Sequence, residues 1–432
     1  MNIYNYEEAF GAADKTTPAM RRAITDWFGL YYNTAADDKT DPSQRIAYCV
    51  VNKLVKTVFG EYKVTANAPL EQLVVQALDK QKLRAVQLAL VGGECYLKPW
   101  FAGGAPSFAV IPRNNVLIFG TDQEGNPTDM GTVERSIRGK YYYTLLERRS
   151  LDTKGRLVIQ NKLYRALNSQ NLGVRVPLTE VEEYAHLPEQ FIYEAALGIG
   201  LVRVKNPMLN CVDGSADGVS VYAAAAGLIR AIDENEAQLR GEFRRGESRI
   251  ILSGDMLDRD QKLSEHLFVG LDDDPQSVGI TVFSPQLREQ SYLNRKWEYL
   301  RNIESIIGLK RGTLSQVQQE EKTATEIASS AGDYNLTIID FQKMWENALM
   351  EAVQLCGVLA GLHGYRFAAG QLPTVDWGNG ILYDEDKTWA DYLVMVDKGL
   401  LKPEYALAWR FNLPADSDVE LFNIRKKYMP EM

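Results

Sequence analysis

The stretch "YLRNIESIIGLKRGTLSQVQQEEKTATEI", residues 299–327, carries the signals that decide the fold of the C-terminal half. Its first part predicts a helix that stops at Gly308, because glycine is the residue most common just after a helix. Its last part predicts a helix start, because Thr323 and Glu326 have the spacing of a capping box. The sequence therefore predicts two helices joined by a mobile, polar, glutamine-rich loop over residues 308–322, with nothing apolar enough to anchor it.

Both helices flanking this loop show apolar residues at helical spacing. The first opens at Ser284-Pro285, and its apolar stripe consists of Leu293, Trp297, Leu300, Ile303 and Ile307. The second is the longest in the chain, since about 40 residues at 1.5 Å each extend roughly 60 Å. Gly332, Gly357 and Gly361 are its expected bend or end points. Its stripe is formed by Ile327, Tyr334, Ile338, Phe341, Trp345, Leu349, Val353 and Cys356.

The N-terminal half begins with helices and continues with strands. Residues 16–92 have helical spacing, with helix starts predicted at Thr17-Pro18 and Asp41-Pro42 and a third helix from Leu70 that ends at Gly92-Gly93. Residues 94–178 are rich in Tyr, Val and Ile and are broken by Gly, Pro and Asn turns. The segment "DTKG", residues 152–155, predicts a hairpin turn between two of these strands. Successive strands with short turns indicate antiparallel sheet, so the chain is predicted to be α+β rather than doubly wound.

A long helix is predicted over residues 216–246, with Asp217 near its N-cap. One apolar stripe runs along it: Val219, Tyr222, Ala226, Ile229, Ile232, Leu239 and Phe243. Arginines crowd its C-terminal end, where cations complement the helix dipole. A short β-rich insert follows this helix, residues 371–383 are predicted to be extended, and two short helices separated by Gly399 and Pro403 form the tail.

Composition limits the classes of function. The 432 residues suggest two or three domains, and a net charge of -9 disfavours a protein that grips nucleic acid with a basic stripe. The four cysteines form no CxxC pair, which favours reduced thiols over a zinc site or a disulfide framework. No apolar run is long enough for a membrane span, and the N-terminus is unlike a signal peptide. We therefore expect a cytoplasmic protein, or a part of something assembled in the cytoplasm.

Motifs for catalysis are weak throughout. The segment "GLKRGTLS" lacks the spacing of a phosphate-binding loop. The segment "DGSADG", residues 213–218, resembles half of a calcium loop, but its twelfth position is Ala224 rather than Glu. His186, His266 and His363 have no ligand-like spacing. We predict no enzymatic activity, no metal and no cofactor.

In its order of elements the chain resembles the portal proteins of tailed bacteriophages, specifically those of long-tailed phages. The segments that carry the resemblance are residues 141–166, 217–252, 299–327 and 377–413. The resemblance implies a portal-type fold with a helical stem, a long kinked helix, an antiparallel β wing, a small β clip and a helical C-terminal crown. It implies the following division: wing 1–215, stem 216–246 and 286–307, clip 247–285, tunnel loop 308–322, long helix with return to the wing 323–383, and crown 384–432.

The resemblance also implies a function. Portal proteins form a homo-oligomeric ring, with a dodecamer expected, at one capsid vertex in the virion. Double-stranded DNA passes through the ring as non-specific cargo during packaging and ejection. The implied partners are the terminase (the packaging motor), a head–tail adaptor, the major capsid protein and a scaffold protein, with no membrane. An acidic protein suits a channel through which a polyanion must pass without sticking.

The residues implied to act fall into three groups. In the tunnel loop they are Lys310, Arg311, Thr313, Gln316, Gln318 and Gln319. Between subunits, at the stem and clip, they are Arg240, Arg244, Arg245, Arg249 and Glu236. In the clip, where strands of neighbouring subunits are expected to pair, they are Ile250, Ile251, Phe268 and Val269.

Some alternatives stay open at this stage. Lys310 and Arg311 either contact DNA phosphates or cap the carbonyls of the preceding helix. The arginines of the stem either pair with acids of a neighbouring subunit or are solvated. At the level of function, the alternatives to a portal are a phage-encoded packaging ATPase or nuclease, and a scaffold protein without a DNA channel.

Overall fold

A computed structural model of the protein describes residues 3–33, 41–194, 198–246, 249–253, 268–271, 281–283, 286–316, 324–367, 372–378, 385–411, 413–415 and 417–429. The chain divides into two compact units, Met1–Asp376 and Trp377–Met432. Helices and strands occupy separate runs of the first unit, as an α+β chain requires.

The α-helices are α1 Glu7–Phe10, α2 Pro18–Tyr32, α3 Ile46–Val58, α4 Pro69–Asp79, α5 Lys82–Gly92, α6 Ala226–Arg245, α7 Glu289–Ile307, α8 Ala324–Leu362, α9 Glu385–Asp397, α10 Pro403–Phe411 and α11 Asp418–Tyr428. The predicted long helix is confirmed by the 39 residues of α8.

The strands are β1 Lys63–Thr65, β2 Glu94–Ala102, β3 Ala105–Pro112, β4 Val116–Thr121, β5 Pro127–Arg138, β6 Tyr141–Leu151, β7 Leu157–Ala166, β8 Val174–Val176, β9 Gln190–Tyr193, β10 Val202–Lys205, β11 Arg249–Ser253, β12 Phe268–Leu271, β13 Thr281–Phe283 and β14 Thr374–Asp376.

The N-terminal helices differ from the sequence prediction in two places. Thr17 caps α2 as expected, since its hydroxyl accepts from the N–H of Met20 at 3.2 Å. Asp41, however, does not cap α3: its carboxylate accepts from the N–H of Ser43, and α3 starts after Arg45, whose φ is +55°. The predicted third helix is two helices, α4 and α5, which meet near Lys80.

The strands of residues 94–178 pair antiparallel, as predicted. One sheet has the order β4-β5-β6-β7-β8 with β9 also on β7, and a second has the order β10-β2-β3. The predicted turn between β6 and β7 is confirmed, because the N–H of Gly155 donates to the carbonyl of Asp152 at 2.9 Å. Strands β9 and β10 were not predicted, and neither was β1, which pairs with β14 across most of the first unit's sequence.

Residues 216–225 are the main correction, because α6 begins only at Ala226. The preceding segment crosses the core as an irregular chain up to Tyr222, and Ala223–Ala225 form a short 3-10 helix. The N–H of Val221 donates to the carbonyl of Leu90 at 2.9 Å, and the hydroxyl of Tyr222 donates to the carbonyl of Trp27 at 2.8 Å. Asp217 is therefore not at a helix N-cap; it lies 3.4 Å from the guanidinium of Arg113.

Helices α6 and α7 pack antiparallel. The amide of Asn235 donates to the carbonyl of Tyr292 at 3.1 Å, and further along the pair Arg288 lies 2.9 Å from Glu242. The strands between these helices form a sheet with the order β12-β11-β13. Helix α7 begins at Glu289, and the start predicted at Ser284-Pro285 lies outside the described residues.

The second unit contains α9, α10 and α11. The tryptophan ring of Trp409 contacts Tyr392 edge-on at 5.0 Å, and Phe411 stacks on Tyr428 at 4.8 Å. The two helices predicted for the tail are confirmed as α9 and α10. The third, α11, was not predicted, although Ser417 and the Glu420 three residues later form a capping box.

Candidate functional site

The loop after α7 starts with a tight helix stop. Gly308 has a φ of +77°, and the N–H of Leu309 donates to the carbonyl of Glu304 at 2.8 Å. A Cβ placed on Gly308 would lie 2.5 Å from the hydroxyl oxygen of Thr337, which belongs to α8. Glycine is needed at this position both for its backbone conformation and for the close approach of α8.

A buried carboxylate then organises the rest of the described loop. Glu304 is 1% exposed, and its carboxylate accepts from the N–H groups of Gly312, Leu314 and Ser315 at 3.2, 2.5 and 2.8 Å. The hydroxyl of Ser315 donates to it as well, at 2.8 Å. The ammonium group of Lys53, on α3, donates to the carbonyl of Thr313. Residues 308–315 are therefore fixed, where the sequence alone indicated an unanchored loop.

The predicted loop residues lie on the outside of this arrangement. Thr313 closes a turn, since its N–H donates to the carbonyl of Lys310 at 3.0 Å. Lys310, Arg311 and Gln316 are exposed. In the part of the chain that the structure describes, neither cation lies within 4.0 Å of a carboxylate. Predicted loop residues Gln318 and Gln319, and the capping-box residue Thr323, lie outside the described residues.

The alternative in which Lys310 and Arg311 cap α7 is not what the described contacts show. The N–H groups of Gly308 and Leu309 already bond to the carbonyls of Ser305 and Glu304. Across the described residues, the side chains of both cations make no hydrogen bond to the last turn of α7.

Arginines also follow the exposed side of α7 toward this turn. A shallow cleft of about 380 Å³ is lined by Arg301 and Arg311, and a neighbouring cleft of about 530 Å³ by Arg295, Arg301 and Gln316. The charge of the helix pair as a whole is balanced, because α6 has four acids and four bases and α7 has three of each. The net negative charge of the chain is therefore not carried by these two helices.

The arginines predicted for contacts between subunits have mostly intrachain neighbours. Arg240 donates to the carbonyl of Asp41 at 2.6 Å and lies 3.8 Å from Glu236, which also lies 3.3 Å from Lys296. Arg245 lies 3.7 Å from Glu242, and Arg244 is exposed. The surroundings of the Arg249 side chain lie outside the described residues.

The predicted clip residues share one small sheet. Ile250 and Ile251 of β11 align with Phe268 and Val269 of β12 in parallel register, and β13 pairs antiparallel with the other side of β11. Among the described strands of this sheet, β12 and β13 are therefore the edges. Their outer backbone groups are where a further strand would pair.

A network of buried charges fixes the start of the segment leading into α6. Sequence analysis did not predict this network. Glu94 and Arg113 are fully buried and lie 3.1 Å apart, and Arg203 lies 2.5 Å from the same carboxylate. Burial alone would raise the pKa of Glu94, but Arg203 and Arg113 outweigh it and hold the pKa below its ordinary value. At Asp217 burial wins instead and raises the pKa, despite the nearby Arg113.

Two further properties of the described residues bear on function. They contain no group of three or more His, Cys, Asp and Glu side chains arranged to hold a metal ion. None of their helices combines the length and the apolar character needed to cross a membrane.

Comparison with known proteins gives the class. The family model for "Phage portal protein, SPP1 Gp6-like" matches residues 46–426. Since this is most of the chain, the protein belongs to the SPP1 Gp6-like phage portal family. No curated protein sequence matches it.

Solved structures also match, and the chain is similar to one described as "Neck of native GTA particle computed with C12 symmetry". The identity is 14%, the match covers 95% of this chain and 98% of that chain, and the TM-score is 0.49.

Proposed function

We propose that copies of this chain close into a ring at one capsid vertex, through which double-stranded DNA enters during packaging and leaves during ejection. Membership of the portal family over residues 46–426 supports the portal role. We expect twelve subunits, in a virion component assembled in the host cytoplasm. In this proposal the terminase docks first, and a head–tail adaptor takes its place after packaging, while capsid and scaffold proteins surround the ring.

The helix pair α6–α7 is the proposed stem. It joins two different ends: the small sheet of β11, β12 and β13 at one, and the basic turn of Lys310 and Arg311 at the other. We assign the sheet as the clip, residues 308–322 as the tunnel loop, residues 1–215 as the wing and residues 384–432 as the crown. The clip sheet has two edges that strands of neighbouring subunits can extend, which would remove the edges from solvent.

The observation that carries the DNA-contact part of this proposal is the exposure of Lys310 and Arg311 on a turn whose backbone is fixed. Two cations per subunit, repeated around a ring, offer phosphates weak contacts that depend on salt. The balanced charge of α6 and α7 adds no net attraction along the rest of the stem. The net attraction to DNA would then be concentrated at the level of the basic turn.

The test of DNA contact is the double variant Lys310→Ala with Arg311→Ala. We expect rings of normal size that package or retain less DNA, with the deficit relative to the wild type shrinking as salt is raised, because salt also weakens the wild-type phosphate contacts. A matched control is Lys140→Ala with Lys154→Ala, which removes two exposed cations from turns of the six-stranded sheet. If packaged length and retention equal those of the wild type, the contact role is wrong.

The ring and the absence of enzyme activity have separate tests. Electron microscopy of the purified protein should show annular particles with an open centre. A monomer at every concentration, by native mass spectrometry, would contradict the ring. An ATPase activity intrinsic to the purified chain would favour the packaging-enzyme alternative.

A further inference from the structure

Glu304 occupies an unusual place for a carboxylate, because it lies on the buried side of α7 between Ile303 and Ile307. An ionised carboxylate in such a place is strongly unfavourable unless donors surround it. Among the described residues, the donors come from one short segment eight to eleven residues later: Gly312, Leu314 and Ser315. The helix and the loop therefore depend on each other at this point.

These hydrogen bonds close a short loop of the chain, residues 304–315, which we name the bracket. Residues 305–311 run out from Glu304, and residues 312–315 return to it. Lys310 and Arg311 stand at the outer end of the bracket, where both are exposed. Any donor lost from the carboxylate frees the returning arm, and with it the direction in which the two cations point.

Two other contacts set where the bracket lies. Lys53 donates from α3 to the carbonyl of Thr313, and Gly308 lies against Thr337 of α8. Leu309, between them, is 7% exposed. Contacts with three helices, α3, α7 and α8, thus hold the basic turn in place.

We propose that Glu304 is the positioning residue of the basic turn: its carboxylate orders residues 312–315 and thereby presents Lys310 and Arg311 outward at a fixed height on each subunit. The ordering itself is a property of the single chain. Its consequence for DNA rests on the proposed function above, so the two are tested separately.

The variant that tests the ordering is Glu304→Gln, which keeps the shape and removes the charge. One carboxylate oxygen faces Leu314 and Ser315 N–H groups, and the other faces the Gly312 N–H and the Ser315 hydroxyl. Whichever way the new amide turns, its NH₂ group meets at least one backbone N–H, which cannot accept. The control is Glu298→Gln, which removes an exposed charge from the same helix.

The readout is hydrogen exchange of the full-length assembly followed by mass spectrometry. Hydrogen bonds to charged groups are worth enough that their loss speeds local exchange about tenfold or more. We expect this acceleration in peptides covering 309–316 for Glu304→Gln and no change for Glu298→Gln. Ser315→Ala, which removes only the hydroxyl donor, should give a smaller acceleration in the same peptides and serves if Glu304→Gln does not fold. Unchanged exchange of these peptides overturns the proposal.

The DNA readout separates a positioning role from general stability. We expect Glu304→Gln to lower DNA retention to between the wild-type value and that of Lys310→Ala with Arg311→Ala. Added to that double variant, Glu304→Gln should cause no further loss, because the groups it positions are gone. A further loss of similar size would show that Glu304 acts elsewhere and overturn the proposal. If the double variant itself retains DNA normally, the DNA-contact function fails, while accelerated exchange would still establish the ordering by Glu304.

Discussion

Replacing Glu147 with Gln should destabilise the six-stranded sheet in a way that depends on pH. The carboxylate of Glu147 is 5% exposed and lies 2.6 Å from the ammonium of Lys98 and 2.7 Å from the guanidinium of Arg149. Burial alone would raise the pKa of Glu147, but the cations Arg149 and Lys98 lower it from 4.5 to about 2. The carboxylate is thus held ionised by Arg149 of the same strand and by Lys98 of the three-stranded sheet.

The magnitude follows from the difference in pKa between the folded and unfolded states. A lowering to about 2 corresponds to about 3 kcal/mol of folding stability at pH 7. Because the folded pKa is the lower one, this stability is present above the unfolded value and is lost as the pH falls through the folded value. At pH 3 less than half of this stability should remain. Removing one partner of a buried ion pair typically costs about 3–5 kcal/mol, which agrees.

The assay is denaturant unfolding of the full chain at pH 7 and pH 3, with the free-energy difference taken from the midpoints. The matched control is Glu183→Gln, because Glu183 pairs with Arg138 on the surface, where the side chains are 55% and 54% exposed. Exposed pairs contribute about 1 kcal/mol or less. The reasoning is refuted if Glu147→Gln costs no more than Glu183→Gln at pH 7, or if its cost is equal at both pH values.

Two further predictions concern the close approach of Gly93 to Gly218 and the reactivity of the cysteine thiols. Gly93→Ala should cost about 3 kcal/mol or more in unfolding free energy, because φ is +86° and the new Cβ would lie 2.2 Å from the carbonyl oxygen of Gly218. The control Gly139→Ala, with φ +59° but no atom within 4 Å of the new Cβ, should cost only about 1 kcal/mol. Equal costs for the two variants would contradict the close-approach argument. In the native protein a thiol reagent should modify the exposed Cys211 first, and the buried Cys95 and Cys356 only on unfolding, because burial raises the pKa of both buried thiols. Mass spectrometry that finds either buried thiol labelled as fast as Cys211 would disprove this prediction.

The sequence predicted elements well where the signal is local. The capped start of α2, the hairpin turn at Asp152 and the stop at Gly308 all depend on residues within one turn of each other. Apolar periodicity likewise located α7 and α8. These signals need no knowledge of what the element packs against.

The misses occur where distant parts of the chain decide. Residues 216–225 have helical periodicity, but the N–H of Val221 and the hydroxyl of Ser220 donate to the carbonyl of Leu90 in α5, which is more than a hundred residues away. The close approach of Gly93 and Gly218 leaves no room for a helix there. Strand β1 is too short to show a period, and only its pairing with β14 makes it a strand. Tertiary contacts therefore overrode local propensity.

The loop after α7 shows how a polar sequence becomes ordered. Its composition offers no apolar anchor, so sequence reasoning indicated mobility. The anchor is instead in the helix before it: Glu304 lies on the same face as Leu300, Ile303 and Ile307, all of which are buried.

An acid on the buried stripe of a helix must find donors, and a helix that ends at a glycine three or four residues later cannot supply them from its own interior, where the N–H groups are already bonded. The donors must come from the chain that follows, which has to turn back. Glu304 followed by Gly308 and Gly312 therefore predicts a loop that returns to the helix, and the polar residues between the two glycines face solvent. Lys310 and Arg311 are exposed because the backbone beside them is hydrogen-bonded to Glu304. Weakening these hydrogen bonds should therefore make the positions of the two cations less defined well before it unfolds α7.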